Sequence, residues 1–593
     1  MSTINGDEIF GQLTFGWVDY LLFSLLLCVS IGIGVYFGFF SKQDNTTEYL
    51  LGGKKMGYFP VAMSLLASHV SGITLLGVPS EVYQYGSQYA ASIFTAMFTS
   101  VLTIYIFLPV FYELQLPSIF EYLEIRFARP VRTLCSMFYI ISLLIYIPIV
   151  VYVPALAFSQ VTGFSIHALV PILCVVCIVY TSIGGLKAVV WTDTIQFSIT
   201  CGGLLAVLFL GIQSAGGLAD VWRISREGKR LVFFDLNPSP FIRNSFWIMV
   251  FGATANWVAH VGIGQGSVQR FLAVPTEKHA RSSMIVTMGG QIVVKMITVM
   301  TGLIMYAKYH DCDPLLTKAI KRSDQALPYY VMDVAGNIPG LPGLFLAGLV
   351  SAALSTMSAS LNTVSGSIYE DFIDPWIPAS VGKEAKAANI MKITVVVTGC
   401  ISGALVYVVE HMGTVFRMGN SMRSVVDGPL LGLFVLGMVV PWVRAKGAMV
   451  GGCVSLVCMF CLVGGTQWHI AHGRLQHLPL PTSVGGCVYP LNETFVPTEV
   501  PLDPEDEPNI IYNITFMYYF VIGASITVVV GLISSIAMRE VDLTAVNPDH
   551  ITPLMRRFLP KRKYTEVPLA DVKQEITELS KEKEANEDKV IIT

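Results

Sequence analysis

About thirteen stretches, each roughly twenty residues long and nearly free of charge, divide this chain of 593 residues. A helix needs roughly 20 apolar residues to cross a bilayer, because every backbone amide in hydrocarbon must find its partner within its own segment. The stretches run approximately Trp17 to Phe40, Tyr58 to Val82, Ala90 to Phe111, Val131 to Ser159, Ile166 to Ser182, Val189 to Ile212 and Asn244 to Ile263. Ser282 to Tyr306, Leu341 to Ser367, Ile390 to Val409, Val425 to Trp442, Ala448 to Gly465 and Phe516 to Ala537 complete the set. With 53% hydrophobic and 13% charged residues, the chain cannot cover such runs with a water-facing surface. The expectation is an all-α membrane protein of about thirteen transmembrane helices. A net charge of −3 carries none of the basic excess that nucleic-acid binding needs, so that partner class is set aside. The cysteines fall mostly inside apolar runs and read as packing residues.

An odd number of spans puts the termini on opposite faces, and basic residues set which face is which. Lys42, Lys54, Lys55, Arg126, Arg129, Lys278, Arg281, Arg444, Lys446, Arg556 and Arg557 fall on one side, the cytoplasm. Arg223, Arg226, Lys229 and Arg230 fall on the other and dissent. The expected arrangement is therefore an extracellular N-terminus over 1–16 and a first helix with a cytosolic loop over 17–57. A ten-helix core over 58–443 follows, then two further helices over 444–537 that hold an extracellular loop at 466–512. A cytosolic tail over 538–593 closes the chain. Asn492 begins a glycosylation sequon that this topology places outside, as the modification requires. Cys312 and Cys487 lie in two extracellular loops where a disulfide could form, although the sequence does not bring them together.

Membrane transporters place their sites at helices interrupted by Gly, Pro and small polar residues. The second stretch has such a centre, Ser64-Leu65-Leu66-Ala67-Ser68-His69-Val70-Ser71-Gly72-Ile73-Thr74. The ninth carries hydroxyls at helical spacing, Ala352-Ala353-Leu354-Ser355-Thr356-Met357-Ser358. Composition alone also allows both to be small-residue packing faces.

The run Tyr180-Thr181-Ser182-Ile183-Gly184-Gly185-Leu186-Lys187, continuing through Trp191-Thr192-Asp193 to Phe197, closely resembles the signature of the sodium:solute symporter family. Glu48-Tyr49-Leu50-Leu51-Gly52-Gly53-Lys54, Ser118-Ile119-Phe120-Glu121-Tyr122, Val268-Gln269-Arg270-Phe271-Leu272 and Gly428-Pro429-Leu430-Leu431-Gly432 resemble its landmarks in the same order. Leu76-Gly77-Val78-Pro79-Ser80-Glu81, with Asp311-Cys312-Asp313-Pro314, is similar to the animal branch that carries monocarboxylates, vitamins and iodide. The resemblance implies an inverted repeat of five plus five helices, the LeuT-like core, and a plasma-membrane, multi-pass symporter that is not an enzyme.

Carried over by motif, the resemblance implies a sodium site formed by the carbonyls of Ala67, Val70 and Ala352 and the hydroxyls of Ser355 and Thr356. Positions 352, 355 and 356 share one helical face, and neutral oxygens suit a monovalent ion that must also leave. Asp193 matches an acid on the sodium exit route. Ser71, Thr74, Tyr146 and Ser358 match positions used for a second ion or its junction with the solute. The solute pocket would be lined by His69, Gly72, Thr74, Thr95, Trp257 and Gly419. Arg423 and Asp427, at i and i+4, read as an internal ion pair, with Arg423 also a candidate anion contact.

The implied activity is sodium-driven import of a small organic anion such as lactate, pyruvate, a short-chain fatty acid or nicotinate. Sodium is the co-transported ion and no cofactor is needed. His69 stands where iodide and vitamin carriers tend to have an aromatic. A biotin and pantothenate carrier, an iodide carrier, and a non-transporting solute sensor of the same fold remain as alternatives.

Overall fold

The computed structural model describes residues 15–40, 51–116, 118–377, 383–410, 415–475, 479–487, 508–538 and 546–559. Asn492 lies outside them. Every regular element among the described residues is a helix, without a strand. In chain order the helices are α1 Trp17–Phe40, α2 Tyr58–His69, α3 Gly72–Tyr85, α4 Ser87–Leu114, α5 Ile119–Arg126, α6 Arg129–Thr162, α7 Ile166–Ile183, α8 Gly185–Ser214 and α9 Leu218–Glu227. They continue with α10 Ile248–Gly262, α11 Gln265–Leu272, α12 Glu277–Tyr309, α13 Ala326–Ala335, α14 Leu341–Ile368, α15 Lys383–Val409, α16 Val415–Met438, α17 Ala445–Ala471 and α18 Phe516–Ala537.

Among the described residues, 11 helices are long and apolar enough to cross a membrane, and the α2–α3 pair, bent by 56°, raises this to 12. The expected seventh span is the shorter apolar helix α10, wound partly as π turns. Several boundaries moved for identifiable reasons. The helix expected from Ser282 starts at Glu277, because the Thr276 side chain accepts from the His279 amide and Arg281 pairs with Glu277 at 2.6 Å. The loop expected between Ser182 and Val189 contracts to a sharp break at Gly185, whose φ of 57° and ψ of −160° suit glycine alone.

Burial separates central from peripheral helices. In the most apolar stretch of α14 89% is buried, against 22% in α1 and 28% in α18, so α14 is the inner post and the other two face lipid. Small residues let it sit there. A Cβ at Gly343 would stand 2.4 Å from the Asp19 Cα, and one at Gly348 would stand 2.9 Å from the Thr200 Cα. Asp19 fastens α1 to this contact by accepting from the Gly343 amide at 2.8 Å and the Gly16 amide at 2.9 Å.

The dissenting basic cluster has a structural account, because much of its charge is spent on the protein. Arg223 pairs with Asp220 at 2.9 Å and Glu227 at 3.5 Å. Arg230 is buried, donates to the carbonyls of Gly228 and Leu480, and lies 4.0 Å above the Tyr306 ring. On the same side, Cys312 and Cys487 form a disulfide. At the opposite end Lys54 donates to Gln115 at 2.7 Å, Arg126 donates to the Gly437 carbonyl at 2.9 Å, and Arg556 pairs with Glu113.

Candidate functional site

The break between α2 and α3 organises the site. Val70 has φ −98° and ψ 76°, and Ser71 is extended, so the ladder of i to i−4 hydrogen bonds stops and backbone carbonyls are left at the interruption. Thr356, on α14, reaches across, its hydroxyl 3.3 Å from the Ser68 carbonyl and 3.0 Å from that of Ala352. Both groups of expected ion ligands are thus buried where α14 crosses the break: Ala67 and Val70 from one side, Ala352, Ser355 and Thr356 from the other. The Ser355 hydroxyl is fully buried with no hydrogen-bond partner among the described residues. An orphaned hydroxyl is costly in a low-dielectric interior, and a cation at the break would satisfy it.

Asp193 lies beside this point. It sits eight residues into α8 and is completely buried. One carboxylate oxygen accepts from Ser64 at 2.7 Å and pairs with Arg270 at 3.4 Å. Arg270, from α11, also donates to the hydroxyls of Ser64 and Ser68, both at 2.8 Å, and to the Gly266 carbonyl at 3.1 Å. Arg270 was legible only as part of a landmark motif. Its role depends on a short polar helix that a search for apolar spans passes over.

Alongside the break is a cavity of about 140 Å³. Of the residues expected around the solute, His69, Thr74, Trp257, Gly419 and Arg423 line it, and so do Ser71 and Tyr146. Gly72 and Thr95 do not. Gly72 faces Val153, Pro154 and Leu349, and the Thr95 hydroxyl donates to the Met249 carbonyl at 2.7 Å. Ser358 is also turned away, donating to the Ser355 carbonyl at 2.9 Å. The expectation missed Asn256, His260, Ser267 and Asn420, all on the wall. Asn256 donates to Asn420 at 3.1 Å, joining α10 to α16.

The aromatic and charged lining is tightly ordered. Trp257 lies between the Lys295 ammonium, 4.7 Å from its ring, and the His69 ring at 6.0 Å. Lys295 is buried on α12 and donates to the Ser92 carbonyl at 3.1 Å. Arg423 pairs with Asp427 at 2.9 Å and covers the Tyr146 ring at 4.5 Å. Cys177 contacts Tyr180 and Thr181, and no group of three His, Cys, Asp or Glu among the described residues could hold a metal.

Residues 49–455 match the model of the sodium:solute symporter family. The sodium-coupled monocarboxylate transporter 1 of Xenopus laevis is 37% identical over 532 residues, covering 87% of this chain and 85% of that protein. The Homo sapiens transporter of the same name is 35% identical, covering 88% of each chain, and the sodium-dependent multivitamin transporter of Oryctolagus cuniculus is 35% identical, covering 92% and 86%. Among solved structures, a Na+-coupled sialic acid symporter in a substrate-bound outward-open state has a TM-score of 0.73 at 22% identity, covering 88% of this chain and 98% of that one.

Proposed function

Since the chain belongs to the sodium:solute symporter family, and is therefore a sodium-coupled transporter in a membrane and not an enzyme, we propose that it imports a small monocarboxylate across the plasma membrane. The observation that carries this reading is the cavity itself. At about 140 Å³ it adjoins the break in α2–α3 on one side and the Arg423 guanidinium on the other. A cavity of about 150 Å³ holds a six-carbon ring, so this one suits a solute of about six heavy atoms, the size of lactate or butyrate. Biotin and pantothenate are much larger solutes. The name shared by several relatives points the same way, and the multivitamin relative is the rival.

In this reading sodium is cargo, held by the carbonyls of Ala67, Val70 and Ala352 and the hydroxyls of Ser355 and Thr356, and no cofactor takes part. Asp193, partnered by Arg270, stands on the ion's way to the cytoplasm. Arg423 and His69 meet the carboxylate, while Trp257 and Gly419 bound its apolar part.

The test is a competition panel in cells expressing the protein, with and without sodium. Labelled lactate should accumulate only with sodium and be displaced by pyruvate, butyrate and nicotinate but not by glucose. Displacement by biotin or pantothenate at much lower concentration would overturn the assignment in favour of a vitamin carrier, and displacement by iodide in favour of an iodide carrier. A solute-evoked current without accumulation would mark a sensor.

A further inference from the structure

Both arginines on the cavity wall have already spent their charge. Arg270 is paired with Asp193, and Arg423 directs Nε and Nη2 to the same oxygen, Oδ2 of Asp427, each at 2.9 Å. The other oxygen, Oδ1, is buried and has no hydrogen-bond partner among the described residues. A carboxylate solute entering here adds a negative charge that neither arginine is free to balance, and an uncompensated charge in such surroundings is expensive.

His260 supplies a means of compensation. Its Nδ1 lies 2.7 Å from the Asn256 carbonyl, and because a carbonyl only accepts, Nδ1 carries the hydrogen. In the neutral ring Nε2 is then a bare acceptor, yet it stands 3.8 Å from Asp427 Oδ2, another acceptor. A ring nitrogen able to take a proton thus stands beside a carboxylate with one unpartnered oxygen, so a proton added at Nε2 would have an acceptor at hand. Among the described residues, the charged neighbours of His260 are Arg423 and Asp427 on α16, with His69 on α2 and, on the same cavity wall beside Arg423, Tyr139 and Tyr146 of α6; α18 presents the Phe520 ring, 5.7 Å away. Ser267 of α11 donates to the His260 carbonyl and not to its ring.

We infer that the solute carboxylate takes Arg423 from Asp427, and that Asp427 passes to His260, which binds a proton at Nε2 as the solute arrives. The proton is taken up from the buffered bulk solvent, no covalent bond within the solute changes, and the added negative charge is balanced, leaving an Asp427–His260 ion pair beside an Arg423–carboxylate pair. This deepens the monocarboxylate reading and rests on it.

Proton uptake on binding makes affinity depend on pH by linkage, by up to about tenfold per pH unit for one proton. The sign follows from where the proton is held: solute binding is tight at low pH and weakens as pH rises. The experiment measures the KM for sodium-dependent uptake of labelled lactate from external pH 5.5 to 8.5, a range in which a carboxylic acid stays ionised. The wild-type KM should rise at least threefold per pH unit over part of this range. His260→Gln, which can hydrogen-bond Asp427 but cannot take the proton, should flatten the profile, as should Asp427→Asn. His69→Gln should shift KM while keeping the slope.

A wild-type KM that does not change with pH, as it would be if sodium alone balances the solute charge, overturns the proposal even if the variants fail to reach the surface. So does a slope that survives in His260→Gln. Absence of sodium-dependent lactate uptake in the wild type instead removes the monocarboxylate reading, and this inference with it.

Discussion

At the scale of single residues, the site divides into atoms that lack partners and atoms that are held. Ser355 is the clearest of the first kind, a buried hydroxyl without a hydrogen-bond partner among the described residues, next to the break. In Ser355→Ala the apparent affinity for sodium should fall by on the order of tenfold, about 1.4 kcal/mol, with a smaller change in the maximal rate. Sodium titration of uptake at saturating solute measures this, and an unchanged half-saturation would remove Ser355 from the ion site. Arg270 is of the second kind. Arg270→Gln leaves the fully buried Asp193 without its counter-charge, a defect worth about 3–5 kcal/mol in comparable pairs. The melting temperature of the purified protein should drop sharply, and Asp193→Asn added to Arg270→Gln should recover part of the loss, because the two residues are one interaction. A double variant no more stable than Arg270→Gln would contradict that coupling.

At the scale of elements, apolar length made the long helices legible, because the bilayer imposes one requirement on each of them. The breaks in α2–α3 and the hydroxyl face of α14 were legible from small polar residues at membrane depth. What stayed hidden followed a different physics. α11 is short and polar, with Arg270 and Ser267 on it, and no rule about spanning length detects such a helix. His260 and Asn256 lie on a helix wound partly as π turns, so 3.6-residue spacing does not project them onto the right face. Gly72 and Thr95 were placed on the pocket wall by motif alone, and the rotation of their helices turns them into the packing. The break at Gly185 offers an element-scale test. Its φ of 57° with ψ of −160° belongs to a region that an alanine side chain makes costly, by about 1–3 kcal/mol. Gly185→Ala should therefore lower thermal stability while leaving the cavity residues in place, and a melting curve with and without sodium measures it. Unaltered melting would mean that α7 and α8 can join without this turn.

At the scale of the whole molecule, transport requires the ion site and the cavity to share structure, and the residues proposed for the ion do share structure with the cavity wall. Thr356 lines the cavity and also bridges the Ala352 and Ser68 carbonyls, while Ser68 and Ser71 line the cavity from the break. An ion that draws α14 onto the break therefore also fixes part of the solute's wall. One sodium moving down a tenfold gradient and 100 mV supplies roughly 3–4 kcal/mol. That energy reaches the solute only through a coupling between the two sites, and such coupling is reciprocal. The factor by which saturating sodium lowers the dissociation constant of lactate must equal the factor by which saturating lactate lowers that of sodium. Trp257, on the cavity wall between Lys295 and His69, provides a fluorescence reporter for both titrations on the purified protein. Thr356→Val keeps the shape of the side chain but loses the hydroxyl that serves both sites, so it should reduce the two factors together by a similar amount. If Thr356→Val weakened sodium binding while leaving the coupling factor intact, the shared wall would not be the route by which the gradient reaches the solute.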